Sequence, residues 1–149
     1  MKFFNEMVET SKWAATKPCC IEKFELVGSA LYKDNPNDLD FAVLTPQGPG
    51  AVLKGTDCHS VCRKLVNEGW SYCEDYQTDG DWQSIRKGVV NLIVTDDPEF
   101  YAGMVLAANV CAVLGLERKS DRVRVHRVIR DGEDWQTAKD APMREGVVD

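Results

Sequence analysis

The apolar and polar positions of the chain fall into segments of two periods. Between residues 3 and 17, Phe3, Phe4, Met7, Val8, Trp13, Ala14 and Ala15 recur at helical spacings, and Pro18 stops the run. Residues 21–27 alternate, with Phe24 and Leu26 on one face and Lys23 and Glu25 on the other, which predicts a strand. Gly28 ends it, where the backbone must turn sharply or approach something closely. A second strand covers 38–45, with Leu39, Phe41 and Val43 on one face and Asp38, Asp40, Ala42 and Leu44 on the other. Pro46-Gln47-Gly48-Pro49-Gly50 then breaks the pattern. Thr56 or Asp57 caps a helix that runs to Asn67 or Glu68, striped by Val61, Leu65 and Val66 and closed by Gly69. Residues 70–76 read as a strand, and Gln77-Thr78-Asp79-Gly80-Asp81 as a turn with an Asp-Gly hairpin signal. Residues 82–87 pair back, and 89–95 form an apolar strand of central character. Lys87-Gly88 between them is either a tight turn or a bulge in one long strand.

Asp97-Pro98-Glu99 is a helix start in three residues: a capping carboxylate, a proline at the first helical position and an acid at the positive end of the dipole. The run from Phe100 to Leu114 is apolar on nearly every side, so this helix is buried, and Gly115 ends it. Ser120 caps a last helix through Arg130, with Val125, Val128 and Ile129 on one face. Arg118, Lys119, Arg122, Arg124, Arg127 and Arg130 make a basic cluster over the rest, and His126 belongs to that basic face. A strand is the alternative here, because Val123 and Val125 alternate. The predicted fold is α/β or α+β: a small mixed, mostly hairpin-linked sheet flanked by helices and covered mainly on one side. A single domain over 1–149 is expected, with 133–149 as a peripheral polar tail.

Composition narrows the partners. At 149 residues the chain can bury a core without disulfide or metal staples. A net charge of −6 argues against wholesale wrapping of nucleic acid and leaves room only for a local basic patch. No apolar run reaches the roughly eighteen residues that span a bilayer, and the Met1-Lys2-Phe3-Phe4 start leads into acidic residues, so no membrane association and a cytoplasmic location are expected. The cysteines at 19, 20, 58, 62, 73 and 111 lack paired C-x-x-C knuckles. Cys58, His59 and Cys62 have ligand-like spacing on one helix, but buried reduced thiols are the expected reading for all of them.

The chemistry concentrates between Phe24 and Leu44. Asp38 and Asp40, one residue apart on a strand, point the same way about 7 Å apart along the backbone. Carboxylates held side by side repel and call for a cation, and a hard divalent ion such as Mg²⁺, which takes oxygen ligands and often phosphate, fits best.

Gly28-Ser29, eight intervening residues, then Asp38-Leu39-Asp40 between apolar strands resembles the signature of the polymerase-β-like nucleotidyltransferase superfamily. The match is concentrated in about twenty residues, and the element order resembles a minimal form of that catalytic domain. The resemblance implies transfer of a nucleoside monophosphate from a nucleoside triphosphate to a hydroxyl acceptor such as RNA or a protein, with Mg²⁺ or Mn²⁺ on Asp38 and Asp40. It also implies that Gly28 and Ser29 contact the β- and γ-phosphates. Apart from the resemblance, Lys33 is a candidate to reach a phosphate from the loop, and Arg86, just before the Asn91 strand, is a candidate to project into the cleft. The family's third carboxylate aligns with Asn91, where this chain departs from the pattern. Asparagine can offer a carbonyl oxygen but is neutral and cannot serve as a base. Three consequences stay open: a site working with two aspartates, one borrowing Glu74, Asp75 or Asp96, or a degenerate protein that binds nucleotide or a protein partner without transfer.

Overall fold

The computed structural model describes residues 2–17, 20–33, 35–73 and 82–138. Its strands are β1 (Lys23–Val27), β2 (Leu39–Leu44), β3 (Ser71–Tyr72), β4 (Trp82–Lys87) and β5 (Val90–Thr95). They form one five-stranded sheet in the order β1-β2-β5-β4-β3. The β2–β5 pair is parallel and the other three are antiparallel, so the sheet is mixed. Every residue of β2 and β5 is buried, which is why both read as near-continuous apolar runs.

The helices are α1 (Phe4–Ala15), α2 (Pro49–Lys54), α3 (Cys58–Asn67), α4 (Pro98–Leu114), α5 (Lys119–Ile129) and α6 (Trp135–Ala138). They cover both faces of the sheet, not mainly one. Leu39, Phe41, Val43, Leu92 and Val94 pack on Cys58, Val61, Cys62 and Leu65 of α3, with Met7 and Trp13 of α1 at the margin. On the other face Ala42, Leu44 and Ile93 meet Tyr101, Met104 and Ala108 of α4. Phe24 stacks on Phe41 at 4.6 Å between ring centroids, joining β1 to β2 on the α1 side.

One local expectation is revised, and one open alternative is decided. The stretch 46–50 does not merely break the chain: Gly48 takes φ +95, Pro49 occupies the first turn, and α2 follows before Gly55 closes it. Lys87 pairs with Val90 across Gly88 at φ +60, so a tight turn joins β4 to β5, not a bulge. Of the strand expected at 70–76, only Ser71 and Tyr72 form β3 among the described residues, and 74–76 and the turn at 77–81 lie outside them.

The α4 start forms as its sequence dictates. Asp97 Oδ1 accepts from the amides of Glu99 at 2.9 Å and Phe100 at 3.3 Å, and Pro98 follows as the first helical residue. Asp97→Ala should lower stability by about 1 kcal/mol. A denaturant midpoint equal to that of the wild type would show that the cap contributes nothing.

Candidate functional site

The aspartates sit where β2 begins, on the α4 side of the sheet, because Asp40 shares the face of Ala42 and Leu44. Residue register then decides their neighbours. Asp40 lies directly opposite Asn91 on β5, and Asn91 directly opposite Arg86 on β4, so three polar side chains form a row across three strands. Asn91 Nδ2 donates to Asp40 Oδ1 at 2.8 Å and to Asp38 Oδ2 at 3.1 Å. One amide reaching both carboxylates places them on the same side, as the spacing required. Arg86 Nε donates to Asn91 Oδ1 at 2.6 Å, and its Nη2 stands 3.5 Å from Asp38 Oδ2. Asp40 and Asn91 are buried, whereas the Arg86 side chain is half exposed.

The Gly-Ser turn reaches the same end of the sheet. β1 ends at Val27, directly opposite Asp40, and Gly28–Leu31 then winds into one turn of 3₁₀ helix with Gly28 at φ +78. A residue with a Cβ is strained at that φ, which accounts for glycine there. Ser29 is buried, and its carbonyl accepts from the amides of Tyr32 and Lys33 at 3.2 and 2.8 Å, folding the turn back on itself.

A cavity of about 340 Å³ opens beside this turn, lined by Ser29, Lys33, Asn35, Asn37, Asp38 and Arg122. Every lining side chain is polar or charged, and the two cations outnumber the one carboxylate, so the cavity suits an anion. A larger apolar trough of about 470 Å³ lies between α1 and the sheet against Phe24, Leu26 and Phe41, on the other face of β2 from Asp40.

Arg122 is the residue whose place the sequence did not reveal. Its helical position puts it on the basic face of the segment, but it is 6% exposed on α5. Its Nη1 donates to the carbonyls of Glu117 at 2.5 Å and Leu116 at 3.2 Å, with Tyr32 Oη at 3.4 Å. Tyr32 Oη donates to the same Leu116 carbonyl at 2.7 Å, tying the loop after the 3₁₀ turn to the loop after α4. The rest of the cluster does not form an open basic face. Arg118 pairs with Asp121, Arg127 with Glu133 and Arg130 with Asp131, and Arg124 stacks on Trp135 at 3.6 Å. His126 is buried, not surface.

Of the other acids considered, Glu74 and Asp75 lie outside the described residues. Asp96 follows the far end of β5, five residues beyond Asn91, or about 16 Å along a strand. It lies close enough to the Cys58 thiol to act on it electrostatically and is not part of the aspartate row. Cys58 and Cys62 are buried, and the bond from Cys62, burial and nearby acids push the Cys58 thiol well above its usual range. The exposed His59 meets Gln83 at 2.6 Å instead of the thiols. Among the described residues no group of three or more His, Cys, Asp or Glu side chains could hold a metal ion.

No described helix is long and apolar enough to cross a membrane. No family model matches the chain, and no curated protein matches it. Among solved structures, the chain is similar to the crystal structure of conserved protein GrpB from Enterococcus faecalis, with a TM-score of 0.54 at 14% identity over 93% of this chain and 92% of that one. The likeness is one of fold: a mixed α+β arrangement with helices around a mixed sheet.

Proposed function

We propose that the chain is a nucleotidyltransferase-like protein that binds a nucleoside triphosphate and transfers its nucleoside monophosphate to a hydroxyl acceptor. The observation that carries this reading is the shared cavity, in which Ser29 of the Gly-Ser turn and Asp38 of the aspartate pair line one space with Lys33 and Arg122. Its volume, at the small end for ligand pockets, suits a triphosphate group with the nucleoside outside.

The donor set decides what cation fits. Asp38 and Asp40 supply hard carboxylate oxygens, as Mg²⁺ or Mn²⁺ requires, but Asn91 supplies no third negative charge and turns its N–H toward them. The set therefore fits one divalent ion on Asp38 and Asp40, not a carboxylate-rich two-ion centre. Such an ion, when bound, would offset charge on the phosphate oxygens and lower the pKa of an acceptor hydroxyl. The chain does the rest. Ser29 and the amides of the 3₁₀ turn would contact the terminal phosphates, while Lys33 and Arg122 would hold the charge of the departing pyrophosphate. The acceptor oxygen forms a bond to the α-phosphorus, the α–β bridging P–O bond breaks, and the hydroxyl proton passes to the Asp38 or Asp40 carboxylate. Asn91 cannot take that proton, so its part is to orient the carboxylates.

Binding without transfer is the second reading, favoured by that same Asn91 and by the Arg86 cation already beside Asp38. One experiment separates the two. The protein is incubated with each α-labelled triphosphate, Mg²⁺ and cell extract, alongside Asp38→Ala and Asp40→Ala, and calorimetry measures triphosphate binding. Aspartate-dependent transfer of label to RNA, protein or a small molecule is expected. Binding without aspartate-dependent label would establish the second reading, and neither signal would reject both.

A further inference from the structure

The direction of the hydrogen bonds around Asn91 depends on Arg86. Nδ2 donates to both aspartates while Oδ1 accepts from Arg86 Nε at 2.6 Å. Turning the amide over would aim an acceptor at two carboxylates and a donor at a guanidinium, losing all three bonds. Asn91 is 7% exposed, so water cannot readily replace them. Arg86 thereby fixes which end of the amide faces the acids, and its Nη2 adds positive charge 3.5 Å from Asp38 Oδ2. The direct register of Asp40, Asn91 and Arg86 across neighbouring strands holds the set in place.

We infer that Arg86 and Asn91 form an internal counter-charge that braces the aspartate pair, and that a divalent cation at Asp38 and Asp40 competes with Arg86. The competition half rests on the cation reading of the aspartates given above; the brace does not. Arg86 is thus a positioning residue, not a ligand of the triphosphate. An entering cation meets the N–H end of the Asn91 amide and the guanidinium behind it. Without Arg86 the amide can turn and offer Oδ1, a hard oxygen donor. Arg86→Met keeps most of the apolar stem and removes the charge, whereas Arg86→Lys keeps the charge but not the planar fork that fits Asn91.

The test has two arms. In the first, denaturant midpoints are measured in chelator for wild type, R86M, D38N and the double variant. The brace predicts that R86M lowers the midpoint less in the D38N background than in the wild type, and additive effects would overturn it. In the second, Mn²⁺ affinity is read from the free-ion electron paramagnetic resonance signal, without any turnover. R86M should bind Mn²⁺ roughly tenfold more tightly, as expected when one positive charge is removed a few ångströms away in a partly solvated site, and R86K should stay close to wild type. Unchanged or weaker binding in R86M, with wild type still binding, overturns the competition. Mn²⁺ binding to neither protein would remove the cation reading and the competition together, while the midpoints would still decide the brace. If R86M does not fold, R86K carries the first arm, where the brace predicts a lowered midpoint whose drop is smaller in the D38N background, because the ammonium cannot reproduce the Nε bond to Asn91. The neutral Arg86→Gln then carries the second, with Mn²⁺ binding tighter than wild type expected and unchanged or weaker binding overturning the competition.

Discussion

Lowering the pH from 7 to 5 should cost the folded protein about 2 kcal/mol through His126 alone, and about 4 kcal/mol by pH 3. His126 is 1% exposed on the inner side of α5, and its Nδ1 makes no hydrogen bond among the described residues. Burial, then the Arg130 guanidinium, pull its pKa down to about 3; Asp131 opposes them and Arg122 adds a smaller push in the same direction. The usual value for a solvated histidine is about 6.5. The unfolded chain therefore takes up a proton below pH 6.5 that the folded chain refuses until about pH 3. The stability carried by neutral His126 is complete above pH 6.5 and is lost progressively as pH falls through that window. Denaturant midpoints at pH 7.5, 6 and 5 should fall steeply for the wild type and much less for His126→Leu. The exposed His59, present in both proteins, cancels from the comparison. Equal slopes in the two proteins would show that His126 is solvated and titrates normally.

How much of this could be read from the chain follows from which forces set each residue's place. β2 and β5 were legible because burial on both faces leaves a continuous apolar run, and the acids at 38 and 40 stand out against it. Period-two alternation is enough to put Asp38 and Asp40 on one side, while Asn91 comes into view only through the resemblance to the nucleotidyltransferase signature. Alternation cannot supply Arg86 as the partner of Asn91, since that follows from the two-residue turn at Gly88-Val89, which sets β4 and β5 in register. One residue more in that turn would have put Arg86 on the opposite face. The α5 segment misled for a different reason. A helical wheel assigns charge to solvent, but the inward stripe of α5 includes Arg122 and His126, whose partners are carbonyls and charges contributed by other segments and by later turns. Burial of a cation that finds its acceptors in the preceding loop has no periodic signature. The helix at 49–54 was hidden by its own glycines and prolines, which punctuate a chain whether they end an element or begin one.

Arg122→Met should destabilise the protein by roughly 3 kcal/mol and weaken triphosphate binding at least tenfold, and the two effects have separable causes. Stability falls because Nη1 donates to the Leu116 and Glu117 carbonyls and sits beside Tyr32 Oη in a buried setting, where hydrogen bonds from a charged group are each worth about 1.5–3 kcal/mol. Those bonds hold the loop after α4 against the loop that follows the Gly28-Ser29 turn, so their loss loosens one wall of the cavity. Binding falls because a cation leaves the lining that faces the phosphates. Tyr32→Phe isolates the first cause. It removes the hydroxyl that donates to Leu116 at 2.7 Å, costs about 1 kcal/mol, and leaves the guanidinium in place. Calorimetry with ATP or GTP and Mg²⁺ should therefore show near-normal affinity for Tyr32→Phe and a large loss for Arg122→Met. Arg122→Lys should recover part of the affinity through its charge while remaining less stable than wild type, since a shorter, flexible ammonium does not keep the fixed guanidinium N–H directions toward the Leu116 and Glu117 carbonyls and Tyr32 Oη. If Tyr32→Phe and Arg122→Met lose affinity in proportion to their stability, Arg122 acts only as a strut for the cavity wall. If Arg122→Met loses it out of proportion, the buried guanidinium of α5 meets the ligand.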